Sequence, residues 1–237
     1  MLRIEHYTKI YGDKVAVDDL SLHIQKGEIY GFIGHNGAGK TTTLKACCGL
    51  LKPDRGEIFV DGVSVAKDPI GAKKLLAYIP DNPDLYEFMS GIKYLNFIAD
   101  VYGVTAKERE ERIREYGELL GLTDDLAQPI SAYSHGMKQK LALIAALVHA
   151  PKLIIMDEPF VGLDPVASHE LKQLMRRMCD NGAAIFFSTH VLETAEKLCD
   201  KVAIIKEGRL IVSGTMEEVR GDASLEDVFL GLEGDKS

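Results

Sequence analysis

Apolar and polar residues alternate along the first thirty positions. Leu2 and Ile4, then Leu20, Leu22 and Ile24, recur at a spacing of two, which predicts strands with one buried face. Lys26-Gly27 turns the chain into Ile29–Ile33, a short unbroken apolar run of strand type, and Thr42–Leu51 then reads as a helix. Glu57–Val60 runs into Asp61-Gly62 as a strand enters a tight turn, and Ala77–Pro80 reads as another short strand. From Pro83 to about His149 the spacing becomes helical. It is clearest in Ile92–Val101 and Lys107–Leu120, and an apolar helix follows over Lys138–His149. Beyond Pro151 strand and helix alternate again. Leu153–Met156 and Ala184–Ser188 are continuous apolar runs, as strands covered on both faces require. Asp164-Pro165 opens a helix with a cap and a first-turn proline. Lys201–Lys206 and Arg209–Val212 form a hairpin turning at Gly208, and Glu233–Ser237 is expected to fray. The pattern is a β-rich start, an inserted helical lobe, and a strand–helix region, with no internal repeat.

Length and composition narrow the class. The chain has 237 residues, 46% hydrophobic and 27% charged, enough for one large domain or one domain carrying an inserted lobe. Acidic residues outnumber basic ones 36 to 28, for a net charge of −8, and no basic run marks a nucleic-acid surface. No apolar run approaches the ~20 residues of a membrane span; the longest, Leu141–Val148, stops at His149 and Pro151. The start, Met1-Leu-Arg-Ile-Glu-His, lacks the apolar core of a signal peptide, so a cytosolic location is expected. Cys47, Cys48, Cys179 and Cys199 match no zinc spacing and read as buried free thiols.

The chemistry starts at Gly34-His-Asn-Gly-Ala-Gly39-Lys40-Thr41, which fits the G-x-x-x-x-G-K-[ST] pattern between a predicted strand and a predicted helix. Glycines at these positions let successive N–H groups point inward on a polyphosphate, and the helix N-terminus adds a favourable dipole. Lys40 can reach the β- and γ-phosphates and the Thr41 hydroxyl can hold Mg²⁺, so the chain is expected to bind a nucleoside triphosphate. The strand Leu153–Met156 ends in Asp157-Glu158. The first acid can face Mg²⁺ and the second can polarise an attacking water; alternatively both merely cap the adjoining segment, with Pro159 blocking a helix. Ser188-Thr-His190 follows a second buried strand. His190 can orient the water of Glu158, or it is a surface histidine at a helix start. In Tyr133-Ser-His-Gly-Met-Lys, Ser134 reads as a helix N-cap and, equally, as the edge of a second anion site remote from the first.

Taken in order, these motifs resemble the ATP-binding subunit of an ABC transporter over the whole chain. Ser134, His135, Gly136 and Met137 resemble the ABC signature, Val161-Gly-Leu-Asp164 the D-loop, and His190 the switch histidine. Tyr11 matches the aromatic that stacks on adenine, and Asp81 stands where the family has the Q-loop glutamine. The resemblance implies a P-loop NTPase of α/β class. A RecA-like core with a mixed sheet and a β-rich N-terminal subdomain covers 1–82 and 151–215, an inserted α-helical subdomain 83–150, and a short C-terminal extension 216–237. It implies ATP bound through Tyr11 and Gly34, His35, Asn36, Gly37, Ala38, Gly39, Lys40, Thr41 and Thr42. Mg²⁺ would sit at Thr41, Asp157 and Asp81, and catalysis would rest on Lys40, Glu158 and His190. The signature acts in trans, closing over ATP in a second subunit of a homodimer or heterodimer. Polytopic permease subunits are the implied partners, on the inner face of the membrane. Leu225-Glu-Asp-Val-Phe229-Leu-Gly-Leu and the acidic Asp81 resemble the drug-export, bacitracin-resistance and Ecs-type branch, which implies export.

Two positions depart from the family. His135 replaces a signature glycine, with its ring either turned outward or adding a hydrogen bond. Asp81 keeps an oxygen but is shorter than glutamine and charged. The competing readings are an ABC-type ATPase serving nucleic acid or ribosomes, and a small-molecule kinase. The kinase needs an arginine-rich lid, but Lys107, Arg109, Arg112 and Arg114 alternate with glutamates along what reads as a solvated helix face.

Overall fold

The computed structural model describes residues 1–234. Of the residues expected to fray, Glu233 and Gly234 instead end the last helix, and 235–237 lie outside the described residues. Strands β1 (Leu2–Tyr11) and β2 (Lys14–Ile24) form a hairpin, and β3 (Ile29–Ile33) leads into α1 (Lys40–Cys47). Then come β4 (Arg55–Val60), β5 (Val63–Ser64), α2 (Pro69–Leu75) and β6 (Leu76–Ile79). Helices α3 (Gly91–Val101), α4 (Ala106–Leu119) and α5 (His135–Leu147) follow. The chain returns through β7 (Leu153–Asp157), α6 (Pro165–Asp180), β8 (Ala184–Thr189), α7 (Leu192–Leu198), β9 (Lys201–Lys206) and β10 (Arg209–Thr215), closing with α8 (Met216–Arg220) and α9 (Leu225–Gly234).

Two sheets build the molecule. The first is antiparallel in the order β2-β1-β4-β5. The second runs β10-β9-β3-β8-β7-β6; every neighbour pair in it is parallel except β9–β10, so it is mixed as expected. Its central strands are buried on both sides, and the two-residue period sorts their side chains. Ile29, Ile33, Ile154, Met156, Ile185 and Phe187 face a core shared with α3–α7. Tyr30, Phe32, Leu153, Ile155, Ala184 and Phe186 face a core shared with α1 and the antiparallel sheet. The C-terminal ends of β3, β7 and β8 lie side by side, with Ile33 opposite Thr189 and Asp157 opposite Ser188. Everything those strands carry at their ends therefore meets in one place.

Strand β4 starts at Arg55 and β10 runs on to Thr215, and two predicted helices also shift. The first helix spans Lys40–Cys47 rather than Thr42–Leu51. Gly49, at φ 66°, takes the left-handed position after the cap, and its N–H and that of Leu50 return to the Ala46 and Lys45 carbonyls. Leu50 and Leu51 extend the apolar run in sequence but not the helix. The helix expected over Lys138–His149 begins at His135, because the Ser134 hydroxyl accepts from the N–H of Met137 at 3.3 Å. The short helices α2, α8 and α9 are additions to the sequence reading.

Candidate functional site

A cleft of about 380 Å³ opens at the ends of β3 and β7. Tyr11, Lys14, Ala16, His35, Asn36, Gly37, Gly39, Lys40, Thr41, Thr42, Asp81, Asp157 and Glu158 line it. Most of the residues predicted to hold the nucleotide are thus together. Gly34 and Ala38 shape the loop from behind. A Cβ on Gly34 would sit 2.4 Å from the Ile205 carbonyl oxygen, so the loop can lie on β9 only with glycine there. Gly39, at φ 108°, likewise leaves no room for a side chain, because its Cβ would meet the Ala16 carbonyl at 2.7 Å. The Gly208 N–H donates to the Ala38 carbonyl at 3.0 Å and fastens the loop to the β9–β10 turn.

Lys40 is the buried cation of the cleft. Its Nζ donates to the Gly34 carbonyl at 2.6 Å and the His35 carbonyl at 3.3 Å, and lies 3.9 Å from Glu158 Oε1. Burial lowers its pKa, against the opposing pull of Glu158 and Asp157. Thr41 Oγ1 donates to Asp157 Oδ2 at 2.7 Å, which brings two of the three predicted metal donors together. Asp81 joins the lining from the loop after β6. Among the described residues no group of three or more His, Cys, Asp or Glu is placed to hold a metal. A hydroxyl with one or two carboxylates suits Mg²⁺, which completes its shell with phosphate oxygens and water.

Glu158 takes a left-handed backbone, φ 48°, costly for a non-glycine residue and concentrated at functional sites. Two acceptors on Ser188 hold it: the Glu158 N–H donates to the Ser188 carbonyl at 3.2 Å and to its hydroxyl at 3.1 Å. Ser188 in turn donates to Asp157 Oδ1 at 2.5 Å. The Glu158 carboxylate is 14% exposed and pairs with His190 Nδ1 at 3.0 Å, while the His190 N–H reaches its second oxygen at 3.4 Å. His190 does not line the cleft; it touches the acid that does.

The signature residues stand apart from this cleft. Ser134 and His135 are exposed at the start of α5. The His135 ring lies against Gly162 of its own chain, where a Cβ on Gly162 would meet Cδ2 at 2.5 Å. Asp164 caps α6, accepting from the Ala167 N–H at 2.8 Å, and pairs with Lys140 of α5 at 3.1 Å. Both contacts hold its carboxyl below the usual range. Tyr11 sits at the cleft mouth with Lys9 Nζ 5.4 Å from its ring centre. Sequence reasoning missed Lys14 and Ser188 as site residues. Lys14 follows a glycine turn as an ordinary exposed strand lysine, and no local pattern marks it. Ser188 shows its role only through strand register.

The family model described as ABC transporter matches residues 17–161. The Bacillus subtilis ABC-type transporter ATP-binding protein EcsA is 35% identical over 237 residues, covering 98% of this chain and 96% of EcsA. The linearmycin resistance ATP-binding protein LnrL of the same organism is 36% identical, covering 92% of this chain and 70% of LnrL. Among solved structures, an ATP-binding subunit of an ABC transporter superposes with a TM-score of 0.95 at 36% identity, covering 98% of this chain and 99% of that one. CbiO1 of Clostridium perfringens, part of the transporter complex cbiONQ, superposes at 0.80 with 27% identity, covering 99% and 95%. With a phosphate loop, a buried lysine and an oriented glutamate in one cleft, this chain belongs to the ABC transporter family as an ATP-binding, ATP-hydrolysing subunit.

Proposed function

We propose that the chain works as half of an ATP-driven pair, with a second copy or a sister ATPase, and moves solute outward through separate membrane-spanning subunits. The observation that carries this reading is Glu158, strained at its backbone and held between Lys40 and His190 at the cleft. Tyr11 would stack on adenine, and the loop Gly34–Thr42 would cradle the phosphates, with Lys40 against the β- and γ-phosphates. Thr41 and Asp157, with Asp81 beside them, would hold Mg²⁺, which neutralises phosphate charge when bound. Glu158 takes a proton from the water whose oxygen attacks the γ-phosphorus as the bond to the ADP oxygen breaks, and His190 keeps the carboxylate aimed.

Ser134–Met137 supply the other half. They open α5 outside their own cleft, so the phosphate they suit is one brought by a partner. Shifting the pair from mostly open to mostly closed needs about 5.5 kcal/mol of differential ATP affinity. Hydrolysis removes that difference. Within the chain, 1–82 and 151–215 act as the catalytic core, 83–150 as the helical lobe and 216–237 as an extension. A cluster of exposed aromatics, Tyr86, Phe88 and Phe97, marks the lobe surface that membrane subunits would cover. Among the described residues no helix is long and apolar enough to cross a membrane; the chain would dock on the inner face of one through its membrane subunits. The outward direction rests on the relative named for linearmycin resistance.

Glu158→Gln tests the reading. Nucleotide affinity should hold while phosphate release falls roughly 10²- to 10⁴-fold, and ATP should trap a dimer. Wild-type turnover in that variant would remove Glu158 from the chemistry.

A further inference from the structure

Helix α9 lies across the back of the phosphate loop. The Phe229 ring is almost fully buried, and its centre is 4.9 Å from that of His35. His35 is the residue on which the loop closes. Its carbonyl accepts from the Ala38 N–H at 3.1 Å and from Lys40 Nζ at 3.3 Å. Towards the end of α9, the Leu232 carbonyl accepts from Lys206 Nζ at 2.8 Å, the last residue of β9. At the start of α9, Glu196 of α7 accepts from the Leu225 N–H at 3.3 Å and pairs with Arg220 of α8 at 2.7 Å. Helix α7 begins just after His190. One terminal segment is therefore tied to the phosphate loop, to the strand behind it and to the helix beside the switch histidine.

We infer that Phe229 is a positioning residue for triphosphate binding. It seats His35, and α8–α9 brace the phosphate loop against α7. The inference rests on reading Gly34–Thr42 as the triphosphate cradle. A glycine-rich loop that must be ordered by its ligand loses affinity to that ordering, and a loop already held in shape does not. The brace touches no reacting group. Its removal should weaken binding and leave the saturated hydrolysis rate nearly unchanged.

The test compares Phe229→Leu, Phe229→Tyr and Leu230→Ala in the full chain, by calorimetric titration with ATP in excess magnesium and by steady-state hydrolysis. Leucine keeps the apolar burial but not the ring; Leu230 lies on the same helix, 60% exposed. Loss of one aromatic pair predicts a roughly fivefold rise in ATP dissociation constant for Phe229→Leu. The saturated rate should stay within about twofold. Phe229→Tyr should restore affinity and Leu230→Ala should match wild type. In a His35→Ala background, Phe229→Leu should add little, since the contact is already gone. Wild-type affinity in Phe229→Leu, or effects of the two substitutions that simply add, would overturn the role given to Phe229. Lys40→Ala is the control for the cradle. If it bound ATP normally, the reading of the cleft would fall and the proposal with it.

Discussion

Replacing Ser188 by alanine removes one hydroxyl from the place where β7 and β8 present their ends. Ser188 is fully buried, and its hydroxyl donates to Asp157 Oδ1 while accepting the Glu158 N–H. The Ser188 carbonyl also accepts that N–H, so alanine leaves the Glu158 amide satisfied. Asp157, 4% exposed, keeps only the Thr41 bond on its other oxygen. The loss is then one hydrogen bond to a buried carboxylate, about 1.5–3 kcal/mol. At 2–4 °C per kcal/mol for a chain of this size, the midpoint of thermal unfolding without nucleotide should fall by roughly 3–12 °C. A carboxylate freed on one side should also hold Mg²⁺ less well. The magnesium concentration giving half-maximal hydrolysis should rise about 10-fold or more, as for other residues that orient a metal ligand. Scanning calorimetry and a magnesium titration of phosphate release read the two effects separately. If neither moves, Ser188 does not hold Asp157, and strand register is not what assembles the metal point.

Lys40→Ala should lower ATP affinity roughly 10- to 100-fold, the worth of one charge-assisted contact to phosphate, measured by calorimetric titration. Ser134→Ala removes the cap of α5 and should cost about 1 kcal/mol in urea unfolding. It should also leave ATP binding by the single chain unchanged and weaken ATP-driven association in sedimentation; an unchanged dimer would remove the signature from the interface. His149, stacked on Tyr102 at 3.7 Å with Nε2 3.2 Å from the Leu76 carbonyl, has its pKa lowered by burial. The folded state resists a proton that the unfolded chain accepts near pH 6.5, so stability is full above that pH and declines as pH falls below it, by at most about 1.4 kcal/mol per unit. His149→Asn should flatten that decline in urea midpoints taken between about pH 5.5 and 7.5.

The features legible in the sequence are those whose partners lie close along the chain. The phosphate loop is one, since its strand, glycines, lysine and helix are contiguous. The helical lobe is another, since period alone distinguishes it, and Asp157-Glu158 at a strand end is a third. Boundaries failed where an apolar run outlived its helix, as at Leu50, or where a cap was recognised without carrying the helix start back to it, as at Ser134 and His135. Helices α2 and α8 are too short for a period to emerge above their neighbours. The α9 residue that matters most, Phe229, is one apolar position among several until the structure sets it against His35.

The remaining parts of the site depend on how strands are ordered and staggered, which no local pattern encodes. Nothing near His190 distinguishes it from any histidine opening a helix. It reaches Glu158 because β8 lies between β3 and β7 and pairs Asp157 with Ser188. A slip of one residue would put Phe187 or Thr189 opposite Asp157 and turn Ser188 to the other face of the sheet. The Glu158 amide would then lose both acceptors that hold its left-handed backbone, and the carboxylate would no longer be aimed between Lys40 and His190. That register is enforced far from the chemistry. Ile185 and Phe187 must face one core while Ala184 and Phe186 face the other. Apolar packing on the two faces of a buried strand thus sets where Glu158 and His190 can meet.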